Sequence, residues 1–80
     1  MIKEKIKNDI KQNIADADIQ LSTNDNKYFN AIIITNTFED KSLIDRQKII
    51  HDIIGKYIIN KEIHAISFKT YTKNEWIDKN

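Results

Sequence analysis

The chain is predicted to fold as a small α+β two-layer sandwich, with helices packed on one face of a three-stranded mixed sheet in the order α-β-β-α-β, followed by a helical tail. Three observations carry this prediction. Isoleucines recur every fourth residue at the N-terminus, apolar and polar residues alternate in later segments, and a second amphipathic stretch separates the last two of those segments. A short turn makes the first two strands an antiparallel hairpin. Passage through a helix makes the second and third parallel, with a right-handed crossover.

Ile2, Ile6, Ile10 and Ile14 form one stripe of an N-terminal helix whose other faces carry Lys3, Glu4, Lys5, Lys7, Asp9 and Lys11. Ala15-Asp16-Ala17-Asp18 marks its exit. The period then changes to two at Ile19-Gln20-Leu21-Ser22, a half-buried strand. Thr23-Asn24-Asp25-Asn26 is a turn, because its short polar side chains can bond nearby backbone. The second strand, Tyr28 to Thr35, contains an unbroken Ile32–Ile34 run that suits a central strand buried on both faces.

Ser42 is the predicted N-cap of the second helix, with Asp45 in its first turn. Its apolar positions are Leu43, Ile50, Ile53, Ile54, Tyr57 and Ile58, widened by Ile44 and Ile49. Asn60-Lys61-Glu62 ends it. The third strand, Ile63 to Tyr71, places Ile63, Ala65, Ser67, Lys69 and Tyr71 on one face and His64, Ile66, Phe68 and Thr70 on the other. Thr72-Lys73-Asn74-Glu75 is a capping box opening a short helical turn that carries Trp76.

Composition narrows the function classes. Eighty residues suffice for one domain, 1–80, with one modest core. Ile, Lys and Asn make up roughly half of them, so isoleucine fills most core positions. The absence of Cys excludes a disulfide framework, a Cys-based zinc site and a thiol nucleophile. Thirteen basic against 12 acidic residues argue against a mainly electrostatic nucleic-acid or membrane binder. No apolar run approaches the roughly 20 residues that span a bilayer, and the N-terminus lacks the apolar stretch of a signal peptide, so a cytoplasmic location without membrane contact is expected.

Little in the chain supports a self-contained active site, and no enzymatic activity is expected. The single Gly55 excludes a phosphate-cradling loop and a dinucleotide fingerprint. Ser22, Ser42 and Ser67 lack evident His and acid partners, and Glu39-Asp40 is most simply solvated charge. The two imidazoles, His51 and His64, fall in different elements and make a weak start for a zinc site.

The run Ile63-His64-Ala65-Ile66-Ser67-Phe68-Lys69-Thr70-Tyr71-Thr72, closed by Glu75-Trp76, resembles the C-terminal signature of the BolA family. The Phe38-Glu39-Asp40-Lys41-Ser42 loop, the Leu43-Ile44-Asp45-Arg46-Gln47-Lys48 helix start and a preceding β-hairpin match in the same order, so the resemblance covers nearly the whole chain. It implies a fold similar to a class II KH domain. It also implies a partner, a monothiol glutaredoxin of the Cys-Gly-Phe-Ser type, and a role in handling [2Fe-2S] clusters. In such pairs the cluster is bridged by the glutaredoxin Cys, a glutathione thiol and a BolA His. By that match His64 is the ligand, and the chain alone carries no cofactor and is a monomer or weak homodimer. The plain alternative is a strand-start His, partly buried and satisfied by backbone. His51 does not match a ligand position of the family and reads as a helix-surface residue.

The sequence departs from the family at three places. Many members offer a second His or Cys ligand from the hairpin loop, where this chain reads Asn26-Lys27-Tyr28-Phe29. Tyr28 or Asp25 could then make a second contact, or His64 could serve alone. Asp40 stands where Gly is common, and Lys73 where Pro is common. Two other function classes are open. A DNA-binding transcriptional regulator would use Lys41, Arg46 and Lys48 at the start of the second helix, although no Gly-x-x-Gly clamp is present. A metal-free adaptor would use Arg46 and Lys69 against an acidic or glutathione-bearing partner.

Overall fold

The computed structural model describes residues 2–79. Its elements are α1 (Ile2–Asn13), β1 (Asp18–Thr23), β2 (Tyr28–Ile34), a 3-10 turn (Asn36–Phe38), α2 (Leu43–Ile59), β3 (Ala65–Tyr71) and α3 (Lys73–Lys79). The sheet order is β1-β2-β3, antiparallel then parallel, so β2 is the central strand. This is the predicted α+β arrangement.

The four-residue isoleucine period buries Ile6, Ile10 and Ile14 against Ile50, Ile54 and Tyr57 of α2 and the inward-facing Ile19, Leu21, Phe29, Ala31 and Ile33 of the sheet. On the opposite face of the sheet stand Gln20, Ser22, Asn30, Ser67 and Lys69, lining an open depression of about 570 Å³. Ile34 faces the same way as these residues in the alternation, yet it is buried opposite Tyr71, whose ring packs on Trp76 of α3.

The caps follow the predicted chemistry. Asp45 N–H donates to the Ser42 hydroxyl at 3.1 Å, starting α2. Thr72 and Glu75 bond reciprocally, Glu75 N–H to the Thr72 hydroxyl at 3.1 Å and Thr72 N–H to the Glu75 carboxylate at 2.9 Å. Where α2 ends, Lys61 N–H reaches the Ile58 carbonyl and Glu62 N–H the Tyr57 carbonyl, with Lys61 at φ 62°. That is a Schellman ending built on a residue other than glycine. Asp40 also lies at φ 62°, which explains why glycine suits that position. Lys73 takes the first helical position, and its N–H, which proline would lack, donates to the Asn36 side chain at 3.3 Å.

Two expectations fail. Leu43 and Ile44 are 65% and 67% exposed, and the inward position of the first α2 turn belongs to Arg46, at 6%. Strand β3 begins at Ala65 and not at Ile63. Ile63 is a buried plug at 2% exposure, so the alternation breaks there and His64 does not share the face of Ile66 and Phe68.

Candidate functional site

Three stretches of chain meet where the sheet begins: the β1–β2 turn, the end of α2 and the start of β3. The turn ties itself. The Asp25 carboxylate accepts Lys27 N–H at 2.9 Å and Tyr28 N–H at 3.0 Å, and the Thr23 hydroxyl donates to the Tyr28 carbonyl at 2.7 Å. Asn26, at φ 60°, takes the left-handed position the turn needs, a conformation that Asn tolerates. The Tyr28 and Lys27 amides hold the Asp25 carboxyl below its usual range.

Lys27 carries the connection to β3. Its carbonyl accepts both His64 N–H, at 2.8 Å, and Ala65 N–H, at 3.2 Å. With Ile63 pulled into the core on one side and this shared acceptor on the other, the chain bends at residue 64 and the imidazole projects into solvent. The His64 ring lies nearly parallel to that of Tyr28, at 15° with centroids 5.5 Å apart, and Tyr28 is itself 60% exposed. The buried-histidine alternative is thereby excluded.

Of the candidate contacts, His64, Tyr28 and Asp25 are brought together. Lys41, Lys48 and Lys69 are exposed but dispersed, with Lys69 on the open sheet face. Arg46 is turned inward, which corrects its reading as a partner or nucleic-acid contact. Its guanidinium makes a bidentate pair with Glu75 at 2.7 and 3.1 Å, donates from Nε to the Lys41 carbonyl at 3.0 Å and lies over the Phe38 ring. The Arg46 pair and the Thr72 amide depress the Glu75 carboxyl to about 2. His51 stands on α2, edge-on to Phe68 at 5.3 Å, away from the stacked pair.

Two further polar ties were not found from sequence. The Tyr57 hydroxyl donates to the Asp9 carboxylate, which also pairs with Lys56 at 3.1 Å. Burial and that carboxylate push the Tyr57 phenol up to about 12. The buried Thr35 hydroxyl donates to Asp16, which accepts Asn36 N–H as well at 3.1 Å. Only the polar character of Asp9 and Asp16 beside apolar stripes hinted at either, and a lone aspartate on a helix or in the turn after it is too common for that hint to discriminate.

As a metal site the geometry is incomplete by design of the chain. Among the described residues no group of three or more His, Cys, Asp or Glu side chains could hold a metal ion. One outward imidazole fits the role of a single terminal ligand to a metal whose other ligands come from elsewhere.

A small α+β domain with an exposed imidazole at the head of its last strand is the class that the fold and site define. The family described as BolA-like protein matches residues 2–75, and the chain belongs to that family. An uncharacterized protein of Buchnera aphidicola subsp. Schizaphis graminum is 38% identical over 80 residues, covering 100% of this chain and 98% of its own. The acid stress protein IbaG of Escherichia coli K12 is 33% identical over 52 residues, 65% of this chain and 62% of IbaG. The crystal structure of a bol-like protein from Babesia bovis superposes with a TM-score of 0.78 at 27% identity, covering 98% of this chain and 92% of that one.

Proposed function

We propose that this BolA-like chain is an accessory protein that pairs with a monothiol glutaredoxin and lends His64 as one ligand of a shared [2Fe-2S] cluster. The observation that carries the reading is the exposed imidazole, fixed at its backbone by the Lys27 carbonyl and standing outside any metal-binding cluster of its own chain. A protein without Cys can take part in iron–sulfur chemistry only where a partner brings the thiolates.

The division of labour follows from the donor set. The neutral imidazole is the ligating form, and an imidazole in place of a thiolate raises the potential of a cluster. When bound, the cluster supplies the electron-transfer or iron–sulfur delivery chemistry. This chain's residues supply orientation: the hairpin fixes where His64 stands, and Ile63, anchored in the core, sets which way it faces. Tyr28 borders His64, and Asp25 holds the Tyr28 backbone. Asp25 is committed to the turn through its two amide bonds, which leaves His64 as the favoured donor.

The inward commitment of Arg46 weakens the DNA-binding reading, because the cations left at the start of α2 are Lys41 and Lys48, beside Asp40 and Asp45. A metal-free adaptor is the second reading, favoured by the lack of a His or Cys in the hairpin.

Co-expression with a monothiol glutaredoxin, followed by visible absorption and circular dichroism of the purified complex, tests the proposal. A cluster spectrum is expected from the complex, and His64→Ala should change its circular dichroism and speed cluster loss. A spectrum indifferent to His64→Ala removes the ligand. A stable complex without a cluster selects the adaptor, and absence of any complex with tight, salt-sensitive DNA binding selects the regulator.

A further inference from the structure

We propose that Tyr28 is a positioning residue for the His64 imidazole, acting through its ring face and not through its hydroxyl. This deepens the reading of His64 as a ligand and rests on it for its purpose. The geometry that supports it belongs to the chain alone.

Fixing the backbone at residue 64 still leaves two side-chain torsions of the histidine to be set. Ligating imidazoles are ordinarily oriented by a hydrogen bond to the ring nitrogen that does not meet the metal. Among the described residues neither nitrogen of His64 takes part in such a bond. Its aromatic neighbour among the described residues is the Tyr28 ring, nearly parallel at 15° with centroids 5.5 Å apart, within the range of an offset aromatic pair.

A stacked ring is suited to this task. Metal ligation uses the lone pair in the plane of the imidazole, at its edge, whereas stacking covers only a face. Tyr28 therefore restrains the ring without occupying either donor nitrogen. The fold makes little use of Tyr28 otherwise, since the residue is 60% exposed at the very start of β2 and lies outside the core.

Tyr28 is itself held on both sides. Its N–H donates to Asp25 at 3.0 Å and its carbonyl accepts from the Thr23 hydroxyl at 2.7 Å. The preceding carbonyl, that of Lys27, is the one that clamps His64. One turn thus fixes both the stacking ring and the backbone of the ligand, so the two cannot drift apart independently. His51 offers a contrast within the same molecule, meeting Phe68 edge-on at 63°.

The test uses the isolated chain, with Tyr28→Leu to remove the stack while keeping apolar bulk and Tyr28→Phe to keep the stack while removing the hydroxyl. In the native chain, NMR should show the His64 ring protons shifted upfield by the tyrosine ring. Tyr28→Leu should move them downfield and lower the order of the ring, with His51 unchanged, and Tyr28→Phe should restore both. In a Zn²⁺ titration at fixed pH, with Zn²⁺ alone as the probe, affinity at His64 should fall about 2- to 10-fold in Tyr28→Leu, the scale expected for freeing one side chain, and recover in Tyr28→Phe. Ring shifts and Zn²⁺ affinity unchanged in Tyr28→Leu would overturn the proposal. So would Tyr28→Phe losing Zn²⁺ affinity as Tyr28→Leu does, since the phenol oxygen would then be a ligand. Neither readout requires a glutaredoxin, so failure of the pairing and failure of the positioning role are seen separately.

Discussion

Where β2 and β3 finish, at Ile34 and Tyr71, the Arg46 side chain turns inward and the charges around it are satisfied. Where the same strands begin, at Tyr28 and Ala65, rings turn outward and donor nitrogens are left for something else. At the finishing end Arg46 is 6% exposed and saturated by Glu75, the Lys41 carbonyl and the face of Phe38, and Asp16 gathers Thr35 and Asn36. At the beginning end the hydrogen bonds are spent on backbone, through Asp25 and the Lys27 carbonyl, so that the side chains of Tyr28 and His64 remain outside. The difference teaches that polar residues in this domain divide by what their chemical groups face. Those turned toward the protein maintain the fold, and those turned away are available for function.

The comparison breaks most sharply at Arg46. Arg46→Ala strips Glu75 of its partner and leaves the Lys41 and Thr70 carbonyls without their donor, at a cost of about 2–3 kcal/mol, below the full buried-pair value because Glu75 is half exposed. In thermal unfolding that is a drop of roughly 10–20 °C for a domain of this size. His64→Ala, at the other end, should stay within about 0.5 kcal/mol of the native chain, because nothing in the core depends on the imidazole. Comparable losses from the two variants would erase the distinction between the ends.

Acid sharpens the contrast. The Glu75 carboxyl is depressed from 4.5 to about 2 in the folded chain, first by Arg46 and then by the Thr72 amide. A depressed folded value gives stability that is fully present above the unfolded value and is lost as pH falls from about 5 toward 2. Urea unfolding at a series of pH values should show that decline, and Glu75→Gln should flatten it while lowering stability at neutral pH. An unaltered slope in Glu75→Gln would place the acid sensitivity elsewhere, with Asp9 and Asp16, both also held below the usual range, as the groups to examine.

The smallest effect concerns the turn that delivers the chain to His64. The chain has one glycine, Gly55, inside α2 with nothing within 4 Å of where a Cβ would stand, while the left-handed position after α2 is filled by Lys61 at φ 62°. Gly55→Ala and Lys61→Gly should each add about 0.5–1 kcal/mol, read as a higher urea midpoint with an unchanged slope. A loss on Lys61→Gly would show that the lysine side chain contributes something at this end that its backbone strain conceals.

Much of the fold was legible because it depends on local chemistry and periodicity. The isoleucine stripe of α1, the Ser42 cap, the Thr72–Glu75 capping box and the central position of β2 all follow from spacing or from groups three residues apart. His64 stood out as a candidate through its match to the family pattern, not through spacing. The inward burial of Arg46 was not legible, since an arginine in a first helical turn between Asp45 and Gln47 looks like a surface cation until Glu75, 29 positions away, is brought beside it. The exposure of Leu43 and Ile44 was missed for the same reason, because helical periodicity marks a stripe without saying where along the helix the sheet stops.

By itself the sequence determined the elements, their order and the chemical types available: one Gly, no Cys, and an imidazole close to the third strand. Only the tertiary structure decided which way that imidazole points. Alternation grouped it with Ile66, Phe68 and Thr70, but burying Ile63 gains more than keeping the strand regular, and the Lys27 carbonyl offers an acceptor to the two amides at the bend. The orientation of His64 is therefore the outcome of a competition between core burial and strand geometry that is resolved only when the hairpin and the end of α2 are both in place.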